Sequence, residues 1–207
     1  MVVDPGDIFI LANIILIAAG FATYLLSNRG VIGRVARDMG LDVSSQSAAL
    51  GIAGTWKGRE VGLAVYGADK TDPSRACVRV AALAPCRFRI RHEASWRVYM
   101  TGPPRIKVAK APANLEVWCD DDSFAERVFS DKELTERTAI AVVGNGDMIE
   151  LRAHTLVVEV SLNRFESTYA ALFVAWHTAV IFLERLGLAF PSEGELRLVD
   201  GIDVYSD

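Results

Sequence analysis

Cysteine and histidine are scarce in this chain, three of each among 207 residues. Cys77, Cys86 and Cys119 are odd in number and widely spaced, with no Cys-x-x-Cys pair. That pattern argues against a disulfide framework and fits reduced thiols in a reducing compartment. His92, His154 and His177 each lack a second His or Cys at metal-ligand spacing, so no metal site and no cofactor are expected. A Gly-x-Ser-x-Gly nucleophile elbow is missing as well. The stretch Gly144-Asn145-Gly146-Asp147 lacks the Lys-Ser/Thr of a phosphate loop and reads as a hairpin turn. These absences point away from an enzyme.

Hydrophobic residues, by contrast, make up 51% of the chain. Much of the excess is local. From Ile8 to Leu26 run 19 residues without a charge, Asn13 being the one strongly polar side chain. A helix of that length spans about 28 Å, close to the ~30 Å hydrocarbon core of a bilayer. The leader, residues 1–7, is acidic, and no small-residue cleavage site follows the run, so a retained transmembrane helix over 8–28 is expected rather than a signal peptide. Asp4 and Asp7 precede it and Arg29, Arg34 and Arg37 follow it. The positive-inside rule then places the N-terminus outside a bacterial inner (plasma) membrane and the remainder in the cytoplasm. Ala18/Ala22 and Ala19/Thr23 form small-xxx-small pairs which, with Asn13, suit packing against other membrane helices.

Residues 29–47 read as a basic juxtamembrane helix or linker with a polar break at 44–47, and 48–207 as a cytoplasmic α+β domain. Strands are expected at 49–56 and 60–67, flanking a tight turn at Lys57-Gly58-Arg59, and at 76–83, 87–92, 96–100, 105–109 and 115–120. The connections are too short for crossover helices, so a mostly antiparallel sheet with covering helices is predicted. Ser123 with Glu126 and Ser130 with Glu133 match capping boxes, predicting helices over 123–129 and 131–138. A three-strand meander over 138–143, 147–153 and 155–162 follows, then a long helix over 167–186 stopped by Gly187. That helix is apolar on nearly every side, yet His177 and Thr178 lie near its middle, which favours a helix covered by the sheet on one side and by a protein partner on the other over a second span.

Charge is segregated along the chain. Residues 75–110 carry nine basic side chains against Glu93, a net of +8, whereas residues 111–207 carry 7 basic against 18 acidic, a net of −11. Arg87, Arg89 and Arg91 alternate with apolar residues, so a strand would send all three to one face. With Arg97, Arg105 and Lys107 they form the expected docking surface, directed at anionic lipid headgroups or an acidic membrane-protein subunit. Each cation near a headgroup surface is worth about 1 kcal/mol. Nucleic acid is not expected, since no RNP-like motif accompanies the basic residues, and no small-molecule substrate is inferred. Asp120, Asp121 and Asp122 directly precede a helix start, where acids are favoured, so they read as caps rather than a cation site.

Gly54, Trp56, Gly58, Arg59 and Val61 spell a G-x-W-x-G-R-x-V hairpin. With Phe124, Ala125 and Val128 in the following helix, the chain resembles over residues 48–187 a loose family of membrane-anchored bacterial domains to which no activity is attached. Its expected topology is analogous to that of the H subunit of purple-bacterial reaction centres, a fold-level analogy without a shared motif. The expected function is a non-catalytic accessory or assembly subunit of a larger inner-membrane complex, of the respiratory or photosynthetic kind. The alternatives are a membrane-tethered enzyme using Asp120, Asp121, Asp122 and His92, and a sensory or regulatory domain that binds a soluble ligand.

Overall fold

Alternating apolar and polar side chains along the middle of the chain assemble one antiparallel sheet. The computed structural model describes residues 30–47, 51–66, 74–93, 103–144, 146–152 and 154–189. The expected anchor with Asn13, Ala18, Ala19, Ala22 and Thr23, the expected strand 96–100, Arg29 and Arg97 lie outside the described residues.

The described strands are β1 (Asp42–Ser47), β2 (Gly51–Trp56), β3 (Arg59–Tyr66), β4 (Arg75–Ala81), β5 (Phe88–His92), β6 (Arg105–Ile106), β7 (Leu115–Cys119), β8 (Met148–Arg152) and β9 (Thr155–Ser161). They lie in the order β1-β2-β3-β4-β9-β8-β5-β7-β6. Every pairing is antiparallel. The helices are α1 (residues 30–38), α2 (Asp122–Ser130), α3 (Lys132–Ala141) and α4 (Thr168–Leu186). The expectation of an α+β domain with a mostly antiparallel sheet and covering helices therefore holds for the described residues.

Because side chains alternate across a strand, each strand contributes one set to each face of the sheet. Leu63 of β3, Val78 of β4, Val158 of β9, Ile149 of β8 and Ile90 of β5 are buried on the first face. There α4 lies across β4 and β9, α3 packs beside α4, and α2 packs on β7. From α4, Leu172, Ala175, Ala179 and Phe182 are buried, and Trp176 meets Trp56 of β2 edge to face at 5.0 Å. Ser167 caps the start of α4 and Gly187, at φ 60°, ends it in the left-handed conformation. By length and composition α4 could cross a membrane, and it lies at the C-terminal end of the described chain. Its packing on β4 and β9 agrees with the sheet-covered side of that expectation.

Three local expectations are corrected. Of the expected juxtamembrane helix or linker, residues 30–38 are the helix α1, but 30–47 are part of the domain and not a separate segment: Ile32, Val35 and Ala36 enter the core and β1 pairs along β2. The polar stretch 44–47 misled because an edge strand needs backbone partners more than apolar side chains. Residues 138–141 continue α3 instead of starting a strand, because Leu134, Thr138 and Ala141 recur at helical spacing and are all buried. The helix caps are aspartates, Asp121 from the acidic run expected to cap α2 and Asp131 for α3, and not the serines of the capping boxes. Asp121 Oδ1 accepts from the backbone N–H of Ser123 and Phe124, and Asp131 Oδ1 from those of Glu133 and Leu134. An Asp is as good a cap as Ser, and these two sit where the chain turns from extended to helical backbone. The β2–β3 hairpin, in turn, has the expected tight turn. Trp56 pairs with Arg59, and Lys57 and Gly58 both take positive φ, 49° and 80°, as a two-residue type I′ loop requires.

Candidate functional site: the polar face of the sheet

The second face of the sheet carries the charges, and strand order decides how they meet. β5 lies between β8 and β7. Arg89 is therefore opposite Glu150 on one side and Trp118 on the other, and Arg91 is opposite Glu116. Arg89 donates through Nε to Glu150 Oε1 at 2.8 Å and through a second guanidinium nitrogen to the same oxygen. Arg152 approaches the other oxygen of Glu150 at 2.5 Å. Arg91 Nε donates to Glu116 Oε2 at 2.7 Å, while Arg105 reaches Glu116 Oε1 at 2.8 Å. The Arg91 guanidinium also lies over the Trp118 ring, 5.1 Å from its centre, a cation–π arrangement. At the head of the strand Arg87 grips Asp120 with two hydrogen bonds of 2.8 and 3.3 Å. These bonds hold the Asp120 carboxyl below its ordinary value and the Arg87 guanidinium above its own.

Arg87, Arg89 and Arg91 thus share a face as expected, but they do not form a free basic surface. The Arg89 side chain is 6% exposed and that of Arg91 13%, whereas Arg87 and Arg105 are about 60% exposed (61% and 60%). The +8 segment supplies β5, and the −11 segment supplies both of its neighbours. Segregation along the chain becomes alternation across the sheet. Alternation within β5 predicts the face; which strands flank it depends on pairing between residues 25 to 61 positions apart. Of the other expected contact residues, Lys107 is exposed, and Arg34 and Arg37 lie exposed on α1.

A second polar cluster escaped the sequence reading. Asp147, fully buried, accepts from the backbone N–H of Val143 (3.1 Å), Gly144 (2.8 Å) and Ser161 (2.6 Å), and pairs with Arg164. Beside it Arg75, 2% exposed, donates to the Gly146 carbonyl at 2.6 Å and lies 3.5 Å from Glu159. This cluster ties the α3–β8 connection to β4 and β9. The legible signal was the aspartate three residues after Gly144, a short acceptor within reach of the backbone N–H groups that precede it.

The residues of the alternative catalytic reading do not converge. Asp120 is held by Arg87, and Asp121 caps α2. His92 lies opposite Leu115 at the far end of β5, whereas Phe88 at the near end lies opposite Cys119. Four strand residues span about 13 Å. Among the described residues, no group of three or more His, Cys, Asp or Glu side chains could hold a metal ion. Two thiols do approach each other: Cys86 Sγ lies 3.7 Å from Cys119 Sγ. Burial, the contact with Cys119 and the nearby Asp121 and Asp120 push the Cys86 thiol up to about 12, and burial raises Cys119 as well.

No protein-family model matches the chain, and no curated protein matches it. Among solved structures, the crystal structure of the mycobacterial trehalose monomycolate transport factor A, TtfA, is similar, with a TM-score of 0.52 and 13% sequence identity. The match covers 76% of this chain and 95% of that one. At that identity, what the two chains share is the fold.

Proposed function

We propose that this chain is a non-catalytic accessory subunit of an inner-membrane complex, anchored by residues 8–28 with its N-terminus outside and its α+β domain on the cytoplasmic side. The observation that carries the reading is the junction at residue 30. The uncharged run ends at Leu26, and by Ile32 the chain is in the domain core, 1% exposed. The four steps from residue 26 to residue 30 reach at most about 14 Å even when fully extended. An inserted anchor would therefore hold the domain against the headgroups rather than on a long tether. Exposed Arg34 and Arg37 would lie in that zone, where anionic lipid attracts cations.

The polar face supports a scaffold more than a reactive centre, since Arg89, Arg91, Glu116 and Glu150 are engaged with one another. Arg87, Arg105 and Lys107, at the exposed margin, remain the proposed contacts to a neighbouring membrane subunit. The fold shared with a transport factor favours a transport complex over a respiratory or photosynthetic one.

The test uses the full chain in its native membrane. Resistance to carbonate extraction, followed by comigration with a larger assembly on native gels after mild detergent, is the expected result. Release by carbonate would remove the anchor. A monomer carrying stoichiometric divalent metal would remove the subunit reading and favour the enzyme.

A further inference from the structure

The Cys86–Cys119 contact brings together two thiols 33 positions apart in the sequence. Cys86 lies in the non-regular stretch between β4 and β5, half-buried, while Cys119 is the enclosed last residue of β7. The Cys119 thiol is held in place by the backbone of Asp121: Sγ donates to the Asp121 carbonyl at 3.0 Å and accepts from its N–H at 3.3 Å. One sulfur is therefore fixed and the other is borne on a segment outside the strands. A disulfide needs the sulfurs about 2.05 Å apart, so the two must close a further 1.7 Å or so, with the movement falling to the Cys86 segment, which lies outside the strands. The third cysteine, Cys77, is buried on β4 opposite Glu159, on the other face of the sheet.

We propose that Cys86 and Cys119 form a redox modification site, a dithiol that closes to an intrachain disulfide by exchange with a small-molecule disulfide. Cys86, the accessible partner, attacks the small disulfide as its thiolate, forming a mixed disulfide and releasing one small thiol. Cys119 then attacks the Cys86 sulfur and releases the second. The protein loses two electrons and two protons, and the small disulfide gains both as two thiols. The new bond would tie the entry to β5 to the β7–α2 junction, on either side of the Arg87–Asp120 pair. The raised thiol values set its kinetics. Little thiolate is present near neutrality, so closure is slow and accelerates with pH. The same scarcity of thiolate leaves the reduced form without electrostatic stabilisation, so the disulfide, once made, resists reduction.

The experiment treats the full-length chain in detergent micelles with oxidised glutathione at pH 7.5 and at pH 9. Samples are quenched in acid, unfolded, and analysed for thiol count, intact mass and peptide linkage. The expected result is a fall from three thiols to one, a mass loss of two hydrogens, a Cys86–Cys119 peptide, and faster closure at pH 9. Cys119→Ser should stop at a glutathione adduct on Cys86. A stable adduct on Cys86 in the unaltered chain, a linkage through Cys77, or three thiols persisting at pH 9 would each overturn the proposal.

Discussion

The Arg75 guanidinium donates to the carbonyl oxygen of Gly146 at 2.6 Å and fills the space into which a side chain at position 146 would grow. Gly146 also takes φ +86°, in the left-handed region. Two independent constraints therefore fall on one residue.

Gly146→Ala should accordingly destabilise the domain by about 2–4 kcal/mol, combining the left-handed backbone cost with displacement of a buried charge. Gly40, at φ +68° with open space around its Cβ position, is the control. Its Ala variant should lose only the backbone component, roughly 1 kcal/mol. Denaturant unfolding of the full chain in micelles compares the two, and equal losses would contradict the packing argument.

Arg89 and Arg87 look equivalent in the sequence, but their substitutions should behave differently. Arg89→Ser leaves buried Glu150 with Arg152 as its remaining ion-pair partner and should cost about 2–4 kcal/mol, somewhat less than breaking an isolated buried pair. Arg87→Ser removes an exposed pair and should leave the melting temperature nearly unchanged. Replacing Arg89 by Met together with Glu150 by Leu should recover much of the Arg89→Ser loss, since buried pairs often exchange for apolar packing at little cost. Thermal melts of the four chains decide this.

The Asp120 carboxyl, held below its ordinary value by Arg87, should make a small and signed contribution to acid sensitivity. Its folded value lies below the unfolded one, near 3.9. Its stabilisation is therefore present above that value and is lost as pH falls through the folded one. Unfolding curves from pH 5 to pH 2 should be steeper for the unaltered chain than for Asp120→Asn. A variant with the same slope would show that the pair contributes nothing.

Gly54 faces the β1 backbone so closely that an added Cβ would collide with the Asp42 carbonyl, beside the irregularity in β1 between Val43 and Ser45. Gly54→Val should strip β1 from the sheet edge while β2–β3 pairing survives. Hydrogen exchange should report faster exchange of the β1 amides with little change in β3; unchanged β1 protection would refute the assignment.

What the sequence revealed follows the range of the interactions. The Lys57-Gly58 turn, the start of α4 at Ser167 and its stop at Gly187 depend on a few adjacent residues, and all were readable. So was the common face of Arg87, Arg89 and Arg91. The partners of that face were not, because Glu116 and Glu150 reach it only through pairing among distant strands. β1 was missed because its polar residues sit at an edge, where backbone bonds matter more than hydrophobic pattern. The end of α3 was misread because Ala139-Ile140 and Val142-Val143 suit a strand locally, whereas burial of Leu134, Thr138 and Ala141 made it helical.

The interleaving of β5 between β7 and β8 has a consequence for biosynthesis. A nascent chain that has emerged only as far as residue 110 carries its arginine strand with neither Glu116 nor Glu150 yet available. Arg91 must wait for Glu116 and Arg87 for Asp120, and until residue 150 arrives Arg89 has only solvent ions or a nearby anionic membrane to neutralise it. Pairing across such separations closes late and slowly, so β5 begins synthesis as a cationic segment awaiting partners and ends as a charge-balanced strand between two acidic neighbours.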